Sequence, residues 1–190
     1  MTNRTVSSPK GPMTLDFGGF AKGLAVDIAI KLLAEKNINN VIVNAGGDLR
    51  ARGRRGERAW RIGIRNPRGP GIIAAVEVRD DESIFTSGDY ERYFEYEGKK
   101  FHHILDPRSG YPADKTVSVT VIHTDATTAD AAATALFVAG PEQWPAVAKQ
   151  LGLKYVMLVD NTGAIHMNPA MAERVEFELA VSAQHISEPL

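Results

Sequence analysis

Two oxygen-bearing side chains on one predicted helix could together hold a metal ion. The segment Asp125–Gly140 reads DATTADAAATALFVAG, and within it Asp130 and Thr134 lie four residues apart. That spacing places both side chains one turn apart on the same side of a helix. A carboxylate and a hydroxyl so placed could share a hard cation such as Mg²⁺, which prefers oxygen ligands. The alternative is that both side chains are solvated on a surface helix.

The same segment carries a second pattern, which predicts how the helix packs. Apolar residues recur at steps of three and four, as a single buried face requires. These residues are Ala126, Ala129, Ala133, Leu136 and Phe137. We therefore expect a helix that buries this face and carries Asp130 and Thr134 beside it.

A pair of histidines precedes a loop that cannot be regular structure. His102 and His103 are followed by Asp106, and residues 106–112 contain two prolines and a glycine. A histidine at the end of a strand can accept a proton, and a nearby carboxylate could orient it or hold a metal. The alternative is a structural histidine. The spacing alone supports no Ser–His–Asp triad.

Three glycine-bearing turns could approach a phosphate or an ion closely, since glycine lets the backbone come near a ligand. They read DFGGFAKG at 16–23, NAGGD at 44–48 and TSGD at 86–89. Ordinary turn chemistry is the alternative for each of them. The chain has no GxxxxGK[ST] loop, no dinucleotide-type GxGxxG and no HExxH site.

The elements that must position these residues are mostly hairpin-connected strands, which predicts an α+β fold with mixed, mostly antiparallel sheets and packed helices. The predicted helices are Phe20 to Lys36, Asp125–Gly140 and Pro141–Leu151. The first has a wide apolar stripe of Ala21, Leu24, Ala25, Ile28, Ala29, Leu32 and Leu33. The predicted strands are Met13–Phe17, Val41–Val43, Trp60–Ile64, Ile72–Val78, Ser83–Thr86, Phe101–Leu105, Val117–His123, Tyr155–Val159, Ala164–Met167 and Arg174–Ala180. Phe101–Leu105 is expected to pair back on Tyr90–Lys100 through a turn at Glu97-Gly98.

Two of these strands carry a further expectation. Val41–Val43 is continuously apolar, which is consistent with burial on both faces. Val117, Val119 and Val121 alternate, so we expect them on one face of their strand.

The stretch Arg50–Arg68 contains eight arginines and one acid, Glu57. One interpretation is the solvent face of a twisted hairpin with its loops, because charge runs usually face water. The other is a docking surface for an acidic partner segment or for phosphates.

Composition sets outer limits on function. The chain has 190 residues, of which 44% are hydrophobic and 24% charged, so a folded globular protein is expected. Its net charge of −1 gives no general argument for binding nucleic acid or a membrane surface. It has no cysteine, which excludes disulfides, thiolate metal sites and cysteine nucleophiles. No run of residues is long enough to span a bilayer, and the compartment is left open.

Taken in order, six motifs resemble the FAD:protein FMN transferase (ApbE) family. They are LDFGGFAKGLAVD, VNAGGDLRARG, WRIGIRNP, TSGDYERYF, HHILDPRSGYPA and DATTADAAATALFVAG. Members of that family use FAD as substrate and Mg²⁺ as cofactor, transfer FMN to a threonine hydroxyl of an acceptor protein, and release AMP. Some relatives hydrolyse FAD to FMN and AMP instead.

The resemblance implies a role for each matching residue. Asp130 and Thr134 would bind the metal by side chain and Ala21 by its backbone carbonyl. His103 would be the catalytic base or its orienter, supported by Asp106, with His102 the weaker candidate. The nucleotide would be bound by Gly18, Gly19, Lys22, Asn44, Gly46, Gly47, Asp48, Ser87 and Gly88.

Family members usually carry a long portion before the first motif, and part of the flavin-ring pocket comes from it. About a dozen residues precede Leu15 here, so the resemblance implies a short form or an isolated C-terminal core. We expect a loose segment at 1–12, one ApbE-like domain at 13–182 and a tail at 183–190. The expected partners are FAD and an acceptor flavoprotein, with a homodimer left open. The alternatives to a transferase are an FAD diphosphatase and a non-catalytic flavin-binding module. Relatives are often periplasmic or membrane-anchored outside the cytoplasm.

Overall fold

The fold is built on a seven-stranded sheet. The structure is a computed structural model, which describes residue 9, residues 11–181 and residues 183–190. The helices are α1 Ala21–Glu35, α2 Ala126–Gln150 and α3 Pro169–Ala172. The strands are β1 Val41–Ala45, β2 Asp48–Arg52, β3 Arg61–Arg65, β4 Ile72–Glu77, β5 Asp81–Gly88, β6 Tyr93–Tyr96, β7 Lys99–His102, β8 Thr116–His123, β9 Tyr155–Asp160, β10 Ile165–Met167, β11 Val175–Phe177 and β12 Gln184–Ile186. The large sheet has the order β1-β2-β5-β8-β9-β10-β12 and is antiparallel except where β12 joins β10.

Two smaller sheets complete the fold. One has the order β11-β4-β3, and the other is the β6–β7 hairpin, which turns at Glu97 and Gly98. Helix α2 packs on one face of the large sheet, where Phe85, Val119 and Val121 meet its alanines. The three-stranded sheet covers the opposite face. The predicted α+β class with mostly antiparallel sheets is confirmed.

The apolar face predicted for Asp125–Gly140 is the buried face of α2. All five of its predicted residues are at most 1% exposed. The helix breaks at Gly140, where φ is +76°, and resumes at Pro141, so the predicted boundary between two helices is confirmed. None of the helices in the described ranges has the length and apolar content needed to cross a bilayer.

Helix α1 forms where predicted but packs through a different face. Its buried residues are Gly23, Val26 and Ile30, whereas Leu24 and Ile28 of the predicted stripe are 43% and 51% exposed. The reason is the close contact with α2, since a Cβ at position 23 would collide with the backbone of Ala126. Only glycine allows this approach, and it rotates the rest of the helix accordingly.

Several strand predictions need correction. Residues 13–17 form no strand, and the Asp16 side chain instead accepts a hydrogen bond from Gly18 N at 2.7 Å in a turn. The Val41–Val43 segment is only partly buried, because β1 lies at the edge of its sheet. Val117 contacts the core on the face opposite Val119, because the pairing of β8 with β9 shifts register between residues 116 and 118.

Two strands were not predicted. In β2, the buried Leu49 and Ala51 alternate with Arg50 and Arg52, but two apolar residues within an arginine-rich stretch were too weak a signal to predict a strand. Strand β12 is a short exposed edge strand of three residues, so its sequence has little apolar character. The predicted strand Arg174–Ala180 is present as the shorter β11.

Candidate active site

The carboxylate of Asp130 faces helix α1 rather than solvent. Asp130 is 7% exposed, and its Oδ2 accepts a hydrogen bond from the backbone N–H of Gly23 at 2.8 Å. These two residues are 107 positions apart, so the first glycine turn and the late helix do meet. Burial raises the pKa of Asp130, against the opposing effects of the Gly23 N–H and the nearby Lys22.

Thr134 faces the end of strand β5. Its Oγ1 lies 3.1 Å from the Oγ of Ser87, and it also lies 3.4 Å from the carbonyl oxygen of Asp130. Strand β5 lies against α2 in the core, which fixes these two hydroxyls beside each other. The hydroxyls of Thr134 on α2 and Ser87 on β5 are therefore in contact, one helical turn after Asp130.

Asp48 brings a second carboxylate to the same place. It is the first residue of β2 and is 5% exposed. It forms an ion pair with Lys22 and accepts a hydrogen bond from Thr86 N at 2.6 Å. Burial raises the pKa of Asp48 despite these partners, and the negative charge of Asp130 contributes in the same direction. Lys22 thus pairs with Asp48, and its positive charge also acts on Asp130.

The turn between β1 and β2 forms one wall of a cavity of about 190 Å³ next to Asp48. Gly46 and Gly47 have φ values of +69° and +107°, which favour glycine, and the Asn44 side chain accepts the N–H of Gly47 at 2.9 Å. The cavity is also lined by Lys22, Thr86 and Tyr90. Its glycine wall lets a ligand approach the backbone closely.

Tyr90 forms part of another wall, and its ring packs against Gly88 at the end of β5. A Cβ at position 88 would come within 2.6 Å of the Tyr90 ring, so the glycine allows the ring to lie flat against the strand end. Burial raises the pKa of Tyr90 to about 12, so its hydroxyl is neutral at ordinary pH.

Gly18 and Gly19 precede α1 in an exposed turn. Added Cβ atoms would meet only the Asp16 side chain at Gly18 and nothing within 4 Å at Gly19. Ala21 is the first residue of α1, two positions before the Gly23 N–H that contacts Asp130.

The two histidines have different environments. His102 is buried, its Nε2 lies 2.9 Å from the carbonyl oxygen of Ala113, and its Nδ1 accepts the N–H of Ile104 at 3.3 Å. Burial lowers the pKa of His102. His103 is exposed, with its Nδ1 lying 3.2 Å from the carbonyl oxygen of Arg92. Of the pair, His103 is the one that is accessible to a ligand.

Asp106 is engaged by its own loop. Its carboxylate accepts hydrogen bonds from the backbone N–H and the guanidinium of Arg108, the closest at 2.7 Å. These hydrogen bonds lower the pKa of Asp106. Within the described ranges, no hydrogen bond or ion pair connects Asp106 or His103 to Asp48 or Asp130.

Two residues of this region were not singled out in the sequence analysis. Tyr90 directly follows the TSGD turn, and its position next to that turn was the available signal. Asp27 lies on the packed face of α1 and contacts the N-terminus of α2. Its signal was a carboxylate in the middle of a mostly apolar helix.

The donors around Asp130 suit a hard divalent cation. Its carboxylate, the Thr134 hydroxyl and a backbone carbonyl at the start of α1 are all oxygen ligands, the type that Mg²⁺ prefers. Across the part of the chain that is described, no three His, Cys, Asp or Glu side chains cluster as a metal site. A cation here would therefore keep open positions for water or for phosphate oxygens of a ligand.

Comparison with known proteins points to one family. A family model described as "ApbE family" matches residues 1–157. The FAD:protein FMN transferase of Rhodobacter capsulatus is 43% identical over 176 residues, which cover 93% of this chain and 34% of that protein. The enzyme of the same name from Treponema pallidum is 41% identical over 151 residues, covering 73% of this chain and 41% of that protein.

Solved structures agree. An ApbE protein of Thermotoga maritima has a TM-score of 0.78 at 40% identity, covering 87% of this chain and 54% of the other. The apo flavinyl transferase ApbE of Pseudomonas stutzeri has a TM-score of 0.71 at 36% identity, and the match covers 88% of this chain and 52% of the other. The chain thus spans between about a third and a half of the length of these relatives.

Proposed function

The chain belongs to the ApbE family, and from that membership we propose that it takes part in Mg²⁺-dependent transfer of FMN from FAD to a threonine hydroxyl of an acceptor flavoprotein, with release of AMP. The single observation that carries the proposal is the contact between Asp130 and Gly23. It joins the late helix to the first glycine turn beside a second carboxylate, a lysine and a glycine-walled cavity. We further propose that residues 13–182 act as one domain.

In this mechanism Asp130, Thr134 and the carbonyl of Ala21 would hold Mg²⁺. When bound, the cation would neutralise negative charge on the diphosphate of FAD. Phosphoryl-type transfer requires mostly positioning and charge neutralisation, which this arrangement of rigid elements offers.

The chain's own groups account for the remaining steps. Lys22 offers a positive charge to the diphosphate. Gly46 and Gly47 let the nucleotide approach the backbone closely. Asn44, Asp48, Ser87 and Gly88 also contribute to binding the nucleotide. The threonine oxygen of the acceptor forms a bond to the phosphorus of the FMN half, and the bond from that phosphorus to the bridging oxygen breaks, so AMP leaves. His103 accepts the proton of the attacking hydroxyl.

The test compares two substitutions in one helix. We expect Asp130→Asn to lower AMP release from FAD about 100-fold or more in the presence of MgCl₂ and a purified acceptor, since a lost cation contact removes several kcal/mol of transition-state stabilisation. Asp125→Asn is the matched control: Asp125 caps α2 by accepting the N–H of Thr128 at 2.7 Å, and asparagine caps equally well. AMP would be measured by chromatography over time.

The outcomes separate the alternatives. If Asp130→Asn released AMP as fast as the unaltered chain, Asp130 would not be a metal ligand. AMP and free FMN formed by the unaltered chain without an acceptor would indicate a diphosphatase. Stoichiometric FAD binding without any AMP would indicate a flavin-binding module.

A further inference from the structure

Helix α1 packs through the face that contains its one internal carboxylate, Asp27. An apolar face with Leu24 and Ile28 was available on the opposite side of the helix and is left exposed. The Asp27 side chain is only 16% exposed. Burying a charge is costly unless it is well paired, so the groups around Asp27 must compensate for that cost.

Asp27 accepts hydrogen bonds from the beginning of α2. The backbone N–H groups of Ala126 and Thr127 both donate to it at 2.9 Å, and the Thr127 hydroxyl donates at 2.7 Å. The first N–H groups of any helix lack partners within the helix. The side chain of the local cap, Asp125, accepts the N–H of Thr128. Asp27, about a hundred residues away in the sequence, accepts the N–H groups of Ala126 and Thr127.

Asp27 also reaches strand β2. Arg50 donates to it at 2.5 Å and binds Asp81 of β5 with two further hydrogen bonds, at 2.7 and 3.1 Å. Arg50 lies two residues after Asp48. Burial disfavours the charged form of Asp27, but the hydrogen bonds from Ala126, Thr127 and Arg50 outweigh it and lower its pKa.

The two helices are therefore joined by reciprocal contacts. Asp27 of α1 accepts hydrogen bonds from the first turn of α2, and one turn further along α2 Asp130 accepts one from Gly23, four residues before Asp27. Each contact closes the same interface, which has no room for a side chain at Gly23. A shift of the first turn of α2 would move Asp130 away from Gly23.

We infer that Asp27 is a positioning residue that fixes the start of α2 against α1 and β2 and so places Asp130 beside Gly23 and Asp48. Its importance for cation binding rests on the proposed function; its effect on the Asp130–Gly23 contact does not.

The test substitutes the two carboxylates that share Arg50. In Asp27→Asn the amide nitrogen cannot accept a hydrogen bond, so one contact with the α2 terminus is lost and Arg50 loses a charged partner. In Asp81→Asn the same arginine loses a charged partner, but residue 81 does not touch α2 in the described hydrogen bonds. Amide hydrogen exchange at Gly23, Ala126 and Thr127 is measured against amides in the middle of β8, which report global unfolding.

We expect Asp27→Asn to speed exchange at Gly23 about tenfold or more relative to β8, while Asp81→Asn leaves that ratio unchanged. The affinity for Mn²⁺ alone, measured by electron paramagnetic resonance, should fall about 10- to 100-fold in Asp27→Asn only, the usual effect of removing support from a ligand. An unchanged exchange ratio at Gly23, or equal changes in both variants, would overturn the inference. Absence of Mn²⁺ binding by the unaltered chain would count against the proposed function, and the Gly23 exchange ratio would still decide the role of Asp27.

Discussion

At the scale of single residues, the site is distinguished by two buried carboxylates whose pKa values are raised. For Asp48 and Asp130 alike, burial is the main cause. A raised pKa means that the folded chain binds a proton there more readily than the unfolded chain does. The ionised side chain therefore reduces stability as the pH rises through the folded pKa. A carboxylate with this behaviour in a cleft is a candidate for a binding role, because it does not contribute to stability at neutral pH.

We expect Asp130→Asn, the variant proposed above as the test of AMP release, to be more stable than the unaltered chain at pH 7 without divalent cations. Asparagine removes the buried charge and its side-chain oxygen can still accept the Gly23 N–H. The gain should be about 0.5–2 kcal/mol, as for other substitutions that trade function for stability. It should vanish below the unfolded pKa of 3.8, where the aspartate is protonated in both states.

Urea unfolding at pH 7 and near pH 3.5 measures this difference, with Asp125→Asn as the exposed reference. A lower free energy of unfolding for Asp130→Asn at pH 7 would show that the ionised carboxylate contributes net stability, contrary to the raised pKa.

At the scale of elements, the orientation of α1 decides which residues reach the site. The apolar stripe read from the sequence is genuine, but the structure places Leu24, Ile28 and Leu32 outside. The helix is apolar nearly all round, so periodicity alone does not select a face. Gly23 and Asp27 select it, through close packing and hydrogen bonding to α2.

Two isoleucines of the same helix test this orientation. Ile30 is 3% exposed and Ile28 is 51% exposed. We expect Ile30→Ala to lower the free energy of unfolding by about 2–4 kcal/mol, because it leaves a cavity in the core. Ile28→Ala should cost less than about 1 kcal/mol, since its side chain is already half solvated. Chemical denaturation of both variants measures the two free energies of unfolding. Equal losses would contradict the buried face of α1 seen in the structure.

At the scale of the whole molecule, a buried ion pair joins the two larger sheets. Arg174, just before β11, donates to both carboxylate oxygens of Glu82 in β5, at 2.7 and 2.8 Å. It also donates to the carbonyl of Glu77 in β4 at 2.6 Å and lies over the Tyr155 ring. The three-stranded sheet that closes one wall of the cavity is thereby held to the sheet that carries Ser87.

We expect Arg174→Met to lower the free energy of unfolding by about 3–5 kcal/mol, because Glu82 would remain buried without its cation. The matched control is Arg61→Met, which should cost about 1 kcal/mol or less because both partners of Arg61, Glu178 and Glu176, lie on the surface. Urea titrations of the two variants would be compared. A similar small loss in both would mean that the buried pair does not hold the sheets together.

The sequence alone determined the α+β class, the family and most elements, because hydrophobic periodicity and ordered motifs are local properties of the chain. The buried face of α2 followed from the same signal, and so did the idea that Asp130 and Thr134 lie side by side. The sequence did not determine which face of α1 is buried, the presence of strand β2 in its arginine-rich stretch, or the face of the sheet on which Val117 lies. Those depend on which surfaces meet across a hundred residues, as in the contacts of Asp27 with Ala126 and Asp130 with Gly23. Only the tertiary structure could decide them, because glycine gaps, bulges and buried hydrogen bonds act between segments that no local pattern relates.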